Sequence, residues 1–192
     1  HPQVATFDPI PWNGPFNSNV RFDYAGPKSG KQKGTVFTDA ESVFSLSKSD
    51  PVVNEQASHM YDAMNQPYLT FPSWVGKTVP GQWSPPPGTS EEDTREPLHR
   101  LWDETASEKN RSEAIKVCKN VWGADYAQPD GKLNCDEYPF ATTYEGSNNG
   151  NKRFSARVID GADNQAAGGR LKIFYHKNRI LDGDPFFVRV TE

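Results

Sequence analysis

A chain of 192 residues is long enough for one sizeable core, but 34% hydrophobic residues and a mean hydropathy of −0.80 keep that core modest under a polar surface. No apolar run approaches the roughly 20 residues of a membrane span. The net charge of −4 and pI near 5.6 do not mark a polyanion binder, because phosphate affinity comes mainly from Lys and Arg. Five tryptophans and eleven phenylalanines exclude a disordered chain.

Sixteen prolines and fifteen glycines announce many turns. Residues 1–34, with Pro9, Pro11, Pro15 and Pro27, read as a long irregular N-terminal arm pinned by Phe7, Trp12, Phe16 and Phe22. The chain opens on His1 without methionine or signal peptide, as a processed form would. Residues 35–192 read as a single domain of α+β class.

Asp50-Pro51 predicts the start of a first helix, with an N-cap acid and a proline at the first helical position. Val53, Ala57, Tyr61 and Met64 give it one apolar face, and Asn65-Gln66-Pro67 ends it. Residues 74–94 read as a surface loop within the domain, punctuated by Pro80-Gly81 and Pro85-Pro86-Pro87-Gly88.

Ala114, Val117, Cys118, Val121 and Trp122 follow the i, i+3, i+4, i+7, i+8 pattern of a second helix. Pro129-Asp130-Gly131 turns the chain into Cys135. Phe154, Ala156 and Val158 alternate as in a half-buried strand, and a short helix is expected from Asp163, with Leu171, Phe174 and Tyr175 on its apolar side. Phe186, Val188 and Val190 alternate in a C-terminal strand. There is no internal repeat.

The two cysteines, Cys118 and Cys135, lie 17 residues apart (135 − 118). Outside the cell they would be joined, a gain of about 3 kcal/mol for so short a loop; in the cytosol they would stay reduced. Charge is uneven. Beyond Asn151, Lys152, Arg153, Arg157, Arg170, Lys172, Lys177, Arg179 and Arg189 outnumber the acids, whereas Glu91-Glu92-Asp93 is acidic.

The chemistry concentrates in the run Cys135-Asp136-Glu137-Tyr138-Pro139-Phe140-Ala141-Thr142-Thr143-Tyr144-Glu145-Gly146, which gathers three carboxylates around an aromatic stripe. Asp163-Asn164 follows, with Asn164 placed 28 residues beyond Asp136 (164 − 136). Carboxylates followed by an acid–amide pair at a helix start suit a hard divalent cation, which prefers oxygen ligands.

These residues resemble the NucA/NucB family of secreted microbial deoxyribonucleases. The Asp136-Glu137-Tyr138-Pro139 core and the Asp163-Asn164 pair are its most specific parts. The likeness runs from about Pro97 to the C-terminus, is weaker around Val36-Phe37 and the helix carrying His59, and does not cover the arm. It implies a small ββα-metal (His-Me finger-like) core with flanking helices, secretion, and metal-dependent cleavage of DNA by a monomer. In that family an aspartate replaces the usual histidine base. Asp136 matches it, and Asn164 matches the metal-binding asparagine. Mg²⁺ or Mn²⁺ would be the cation, held by Asn164 and Asp136.

Glu137 and Glu145 are the candidate second carboxylates; the alternatives are that Glu137 is merely solvated and that Glu145 caps the turn at Gly146. Leu98-His99-Arg100 resembles a motif of longer family members, which would set His99 or Arg100 on phosphate; the alternative is packing beside the second helix. Gln165, Arg170, His176 and Lys177 are further candidates for the DNA backbone or, equally, solvated side chains. Asn110-Arg111-Ser112 is a glycosylation sequon, meaningful only in a eukaryotic host.

Two other classes remain open on the residues alone. A carbohydrate-active enzyme would use Asp136 and Glu145 as its acid and nucleophile, with Trp74, Trp83 or Trp102 stacking on sugars. A non-catalytic secreted binding protein would retain the carboxylate run for structure only.

Overall fold

Among residues 18–23, 33–84 and 95–192, which the computed structural model describes, seven strands and three helices form. Strand β1 (Val20–Asp23) pairs antiparallel with β2 (Gly34–Phe37). The arm therefore contains regular structure at its described part. The expected pins Phe7, Trp12 and Phe16 lie outside the described residues, and Phe22 is 80% exposed. The hairpin is fastened by charge instead. The Arg21 guanidinium donates to Asp184 Oδ1 and to the Arg179 carbonyl, both at 2.7 Å, and Arg179 pairs with Asp23.

Strand β3 (Val43–Ser47) runs parallel to the C-terminal strand, and β4 (Leu98–His99) pairs antiparallel with that strand's other edge. Between them helix α1 (Asn54–Asn65) buries Gln56, Ala57, His59, Met60, Ala63 and Met64. The helix starts later than Asp50-Pro51 predicts. The Asp50 carboxylate accepts from the Val52 N–H at 3.0 Å and pairs with Arg170 at 2.7 Å, closing a turn ahead of the helix rather than capping it. The loop reading of 74–94 fits residues 74–84, which carry only an isolated bridge from Gln82 to the C-terminal strand; residues 85–94 lie outside the described residues.

Helix α2 (Glu104–Trp122) begins ten residues before its apolar pattern. Asp103 caps it, accepting from the Ala106 N–H at 2.9 Å, and its first turns bury the polar Ser107 and Asn110. Asn110 is 5% exposed. Its amide donates to the carbonyls of Ala141 (2.8 Å) and Thr143 (3.1 Å) and accepts from the Asn148 N–H (3.0 Å). In the folded protein the sequon is thus closed to a glycan: this asparagine staples the segment after the carboxylates to α2. Gly146 packs so tightly on it that a Cβ there would fall 2.3 Å from the amide nitrogen.

Strands β5 (Leu133–Tyr138) and β6 (Ser155–Asp160) form an antiparallel pair, and β6 leads without a break into helix α3 (Gly161–Lys177). The disulfide Cys118–Cys135 fastens α2 to β5. Helix α3 starts earlier than Asp163 and is not short, because Asp160 is the cap: its carboxylate accepts from the N–H groups of Ala162 (2.7 Å) and Asp163 (3.4 Å). Leu171, Phe174 and Tyr175 are buried as expected.

Strand β7 (Pro185–Thr191) is the centre of the order β3-β7-β4. Alternation fails there: Phe187 is buried along with Phe186 and Val188, since it packs against the Trp83 ring at 5.8 Å. One continuous core joins Phe44 and Leu46 of β3, Met60 and Met64 of α1, Tyr138 and Phe140, the apolar side of α3, and Phe186. None of the described helices is long and apolar enough to cross a membrane.

Replacing Asn110 by Ala removes three hydrogen bonds and takes the Asn110 partner from the Ala141 carbonyl and the Asn148 N–H, while the Thr143 carbonyl still accepts from the Gly146 N–H. We expect a loss of about 3 kcal/mol of unfolding free energy, read by urea denaturation.

Candidate active site

The candidate site forms where the starts of two helices meet the end of β5. Glu55 locks them together. Its carboxylate accepts from the Asp160 N–H at 2.7 Å, and its own N–H donates to Asp163 Oδ2 at 3.0 Å. This brings the first turn of α1 beside that of α3. Asn164 then leans back over β5, its amide nitrogen 3.5 Å from the Cys135 carbonyl oxygen.

A cleft of about 530 Å³ opens at this junction. Asp136, Glu137, Asn164 and Gln56 line it, and Arg100, Arg111, Lys172 and His176 supply positive charge or a titratable ring. All four first-named side chains offer oxygen.

Asp136 is 3% exposed. Its Oδ2 is hydrogen-bonded to Nδ1 of His59, which is fully buried on α1, and His59 Nε2 lies 2.6 Å from the Ser155 hydroxyl on β6. Among the described residues no hydrogen bond engages Asp136 Oδ1.

Glu137 is a different kind of carboxyl. Burial, then the negative charge of Asp136, pushes its pKa up to about 8, against the pull of Arg111 and the Ala141 N–H. Gln56, 2% exposed, has a buried Oε1 with no hydrogen-bond partner among the described residues. A native protein rarely leaves such an atom unmatched.

The family model for deoxyribonuclease NucA/NucB matches residues 89–189, that is 101 of 192 residues (189 − 89 + 1). The chain belongs to the NucA/NucB deoxyribonuclease family. No curated protein sequence matches it significantly.

In this deoxyribonuclease the matched segment holds β4, α2, β5, β6, α3 and most of β7, but not α1. Of the residues singled out in the sequence, Asp136, Glu137, Asn164, Arg100 and His176 line the cleft. Arg100 is largely consumed by the fold. It donates to the Ile180 carbonyl and lies over the Tyr175 ring at 4.4 Å.

Five others, Glu145, His99, Arg170, Gln165 and the exposed Lys177, stand outside the lining residues. Glu145 accepts from the His99 N–H at 2.8 Å and meets the His99 ring at 2.7 Å, so these two tie β4 to the loop after β5. Arg170 is paired with Asp50, and Gln165 is exposed on α3. The Asp136–Glu145 pair required of a glycosidase is therefore not assembled in the cleft. Trp102 lines it, but Trp74 donates to the Lys152 carbonyl and Trp83 packs on Phe187.

Sequence reading missed Gln56, His59, Arg111 and Lys172 as members of this junction. A signal existed for the first two: polar side chains three residues apart on the buried stripe of α1.

The raised pKa of Glu137 has a definite sign. Below its ordinary 4.5 folded and unfolded chains both hold the proton, and between 4.5 and about 8 only the folded chain does. Its contribution to stability is therefore complete at low pH and lost as pH rises through 8. In EDTA, wild type should lose up to about 1.4 kcal/mol per pH unit relative to Glu137→Gln across this window, read by urea denaturation.

Proposed function

We propose that this deoxyribonuclease is an extracellular, non-specific endonuclease that uses one divalent cation, Mg²⁺ or Mn²⁺. Its centre is read as a ββα-metal, His-Me finger-like unit of β5, β6 and α3. The observation that carries this reading is the convergence of Asp136, Glu137 and Asn164 in one cleft with a basic rim.

The residues present suit such an ion. No three acidic, histidine or cysteine side chains cluster as a cation site among the described residues. Two carboxylates with amide oxygens make a sparse, all-oxygen donor set, which fits Mg²⁺, an ion that keeps several waters. The unpartnered Gln56 Oε1 and the raised pKa of Glu137 support the fit, since a nearby cation would favour the ionised carboxylate. Asn164 and Glu137 would hold the ion, with Asp136 beside it.

When bound, the cation supplies neutralisation of charge developing on the phosphate and the departing oxygen. The protein's own residues do the rest. Asp136, with one oxygen free of protein hydrogen bonds among the described residues, takes a proton from water as that water attacks phosphorus and one P–O ester bond breaks. Arg111 and Lys172 draw the phosphate backbone into the cleft despite the overall acidity, since local field rather than net charge steers the ligand. The Cys118–Cys135 disulfide supports an oxidising, extracellular setting.

Plasmid DNA tests the assignment. Wild type should degrade it with Mg²⁺ or Mn²⁺ and stop in EDTA, and Asp136→Ala should cut at least about 100-fold more slowly with an unchanged circular dichroism spectrum. Asn164→Ala should raise the Mn²⁺ concentration needed for half-maximal rate. Absence of cutting by pure wild type in either metal would refute the metal-dependent reading.

A further inference from the structure

Three side chains from three elements form an unbroken chain, Ser155 on β6, His59 on α1 and Asp136 on β5. The Ser155 hydroxyl meets His59 Nε2 at 2.6 Å, and His59 Nδ1 meets Asp136 Oδ2. The types are those of a serine-hydrolase triad, but the polarity is reversed. Ser155 and His59 are both 0% exposed, and neither lines the cleft, so the serine cannot reach a substrate. Only the Asp136 end opens onto the cleft.

We infer that His59 is a positioning residue for Asp136, holding one carboxylate oxygen so that the other faces the cleft, with Ser155 fixing the imidazole from behind. The inference rests on the nuclease reading above and adds to it a residue on α1, outside the segment that the family model matches.

A carboxylate that serves as the base can only accept, so in this reading the hydrogen bond to Oδ2 is donated by His59 Nδ1. The ring's other nitrogen is then anchored by Ser155, and both degrees of freedom that would let the imidazole turn are removed. A carboxylate on a strand has a soft terminal torsion. One strong, charge-assisted hydrogen bond to a buried, fixed donor restricts that torsion and keeps Oδ1 directed outward. The burial of His59 also supplies a donor where water is excluded, which a solvent molecule could not do.

The position of the donor decides the test. An asparagine at 59 carries its amide N–H about where Nδ1 lies, whereas a leucine fills the space without a donor. His59→Asn should keep kcat on DNA within about 3-fold of wild type, and His59→Leu should lower it about 30-fold with KM unchanged, in the range by which such supporting hydrogen bonds act. Ser155→Ala should fall between the two. Nitrogen–proton NMR gives a readout independent of cleavage: a slowly exchanging His59 Nδ1–H resonance in wild type, lost or moved in Asp136→Ala.

Equal losses in His59→Asn and His59→Leu, or a His59→Leu enzyme within about 3-fold of wild type, would overturn the positioning role, as would a rapidly exchanging ring proton. Cutting that needs Asp136 but not His59 overturns this inference alone. Cutting that needs neither overturns the assignment of the site as well.

Discussion

A carboxylate taken out of water must find a compensating partner, and much of this molecule is arranged around that requirement at Asp136. The residue is 3% exposed on β5, and its partner His59 comes from a helix 77 residues earlier in the chain. For the two to meet, α1 must lie across the β5–β6 pair, and the buried stripe of α1 supplies the packing that holds it there. Breaking such a pair from one side would leave a buried charge alone, which is far costlier than never having buried it. Stability and the candidate chemistry thus rest on the same contact.

Around this contact the fold uses polar staples where an apolar core is thin. Glu55 bolts the starts of α1 and α3 together, Asn110 holds the loop after β5, Glu145 reaches β4 through His99, and Arg21 fixes the β1–β2 hairpin. The disulfide completes the frame by tying α2 to β5 one residue before Asp136. Each staple joins segments distant in sequence. That is how a hydrophilic chain rich in proline and glycine holds a cleft to a defined shape without a large hydrophobic interior.

Within the cleft, two neighbouring carboxylates are given unlike surroundings. Asp136 is hydrogen-bonded to a buried histidine, while Glu137 is buried beside the negative charge of Asp136, and its pKa rises to about 8. Separating two carboxyls in this manner is a recurrent way to obtain distinct chemical roles from identical groups. Arg111 and Lys172 line the same cleft, and the positive charge of Arg111 offsets part of the rise at Glu137.

The sequence alone determined the elements that carry strong local periodicity, namely the apolar end of α2, strand β6, the buried side of α3 and the end of α1 before Pro67. It also singled out Asp136, Glu137 and Asn164, which the fold brings to one cleft, because they lie close together in the β5–β6–α3 segment. It placed helix starts wrongly at Asp50 and Asp163, since an aspartate caps a helix or closes a turn according to partners that are not local: Arg170 claims Asp50, and the cap of α3 is Asp160. Only the tertiary structure decided that Glu145 and His99 serve each other rather than the cleft, that Asn110 is closed to glycans, and that Gln56 and His59 stand at the site. Those outcomes depend on contacts across 31 to 108 residues of chain. A single sequence read for local pattern carries periodicity, but not which distant polar group will be buried against which.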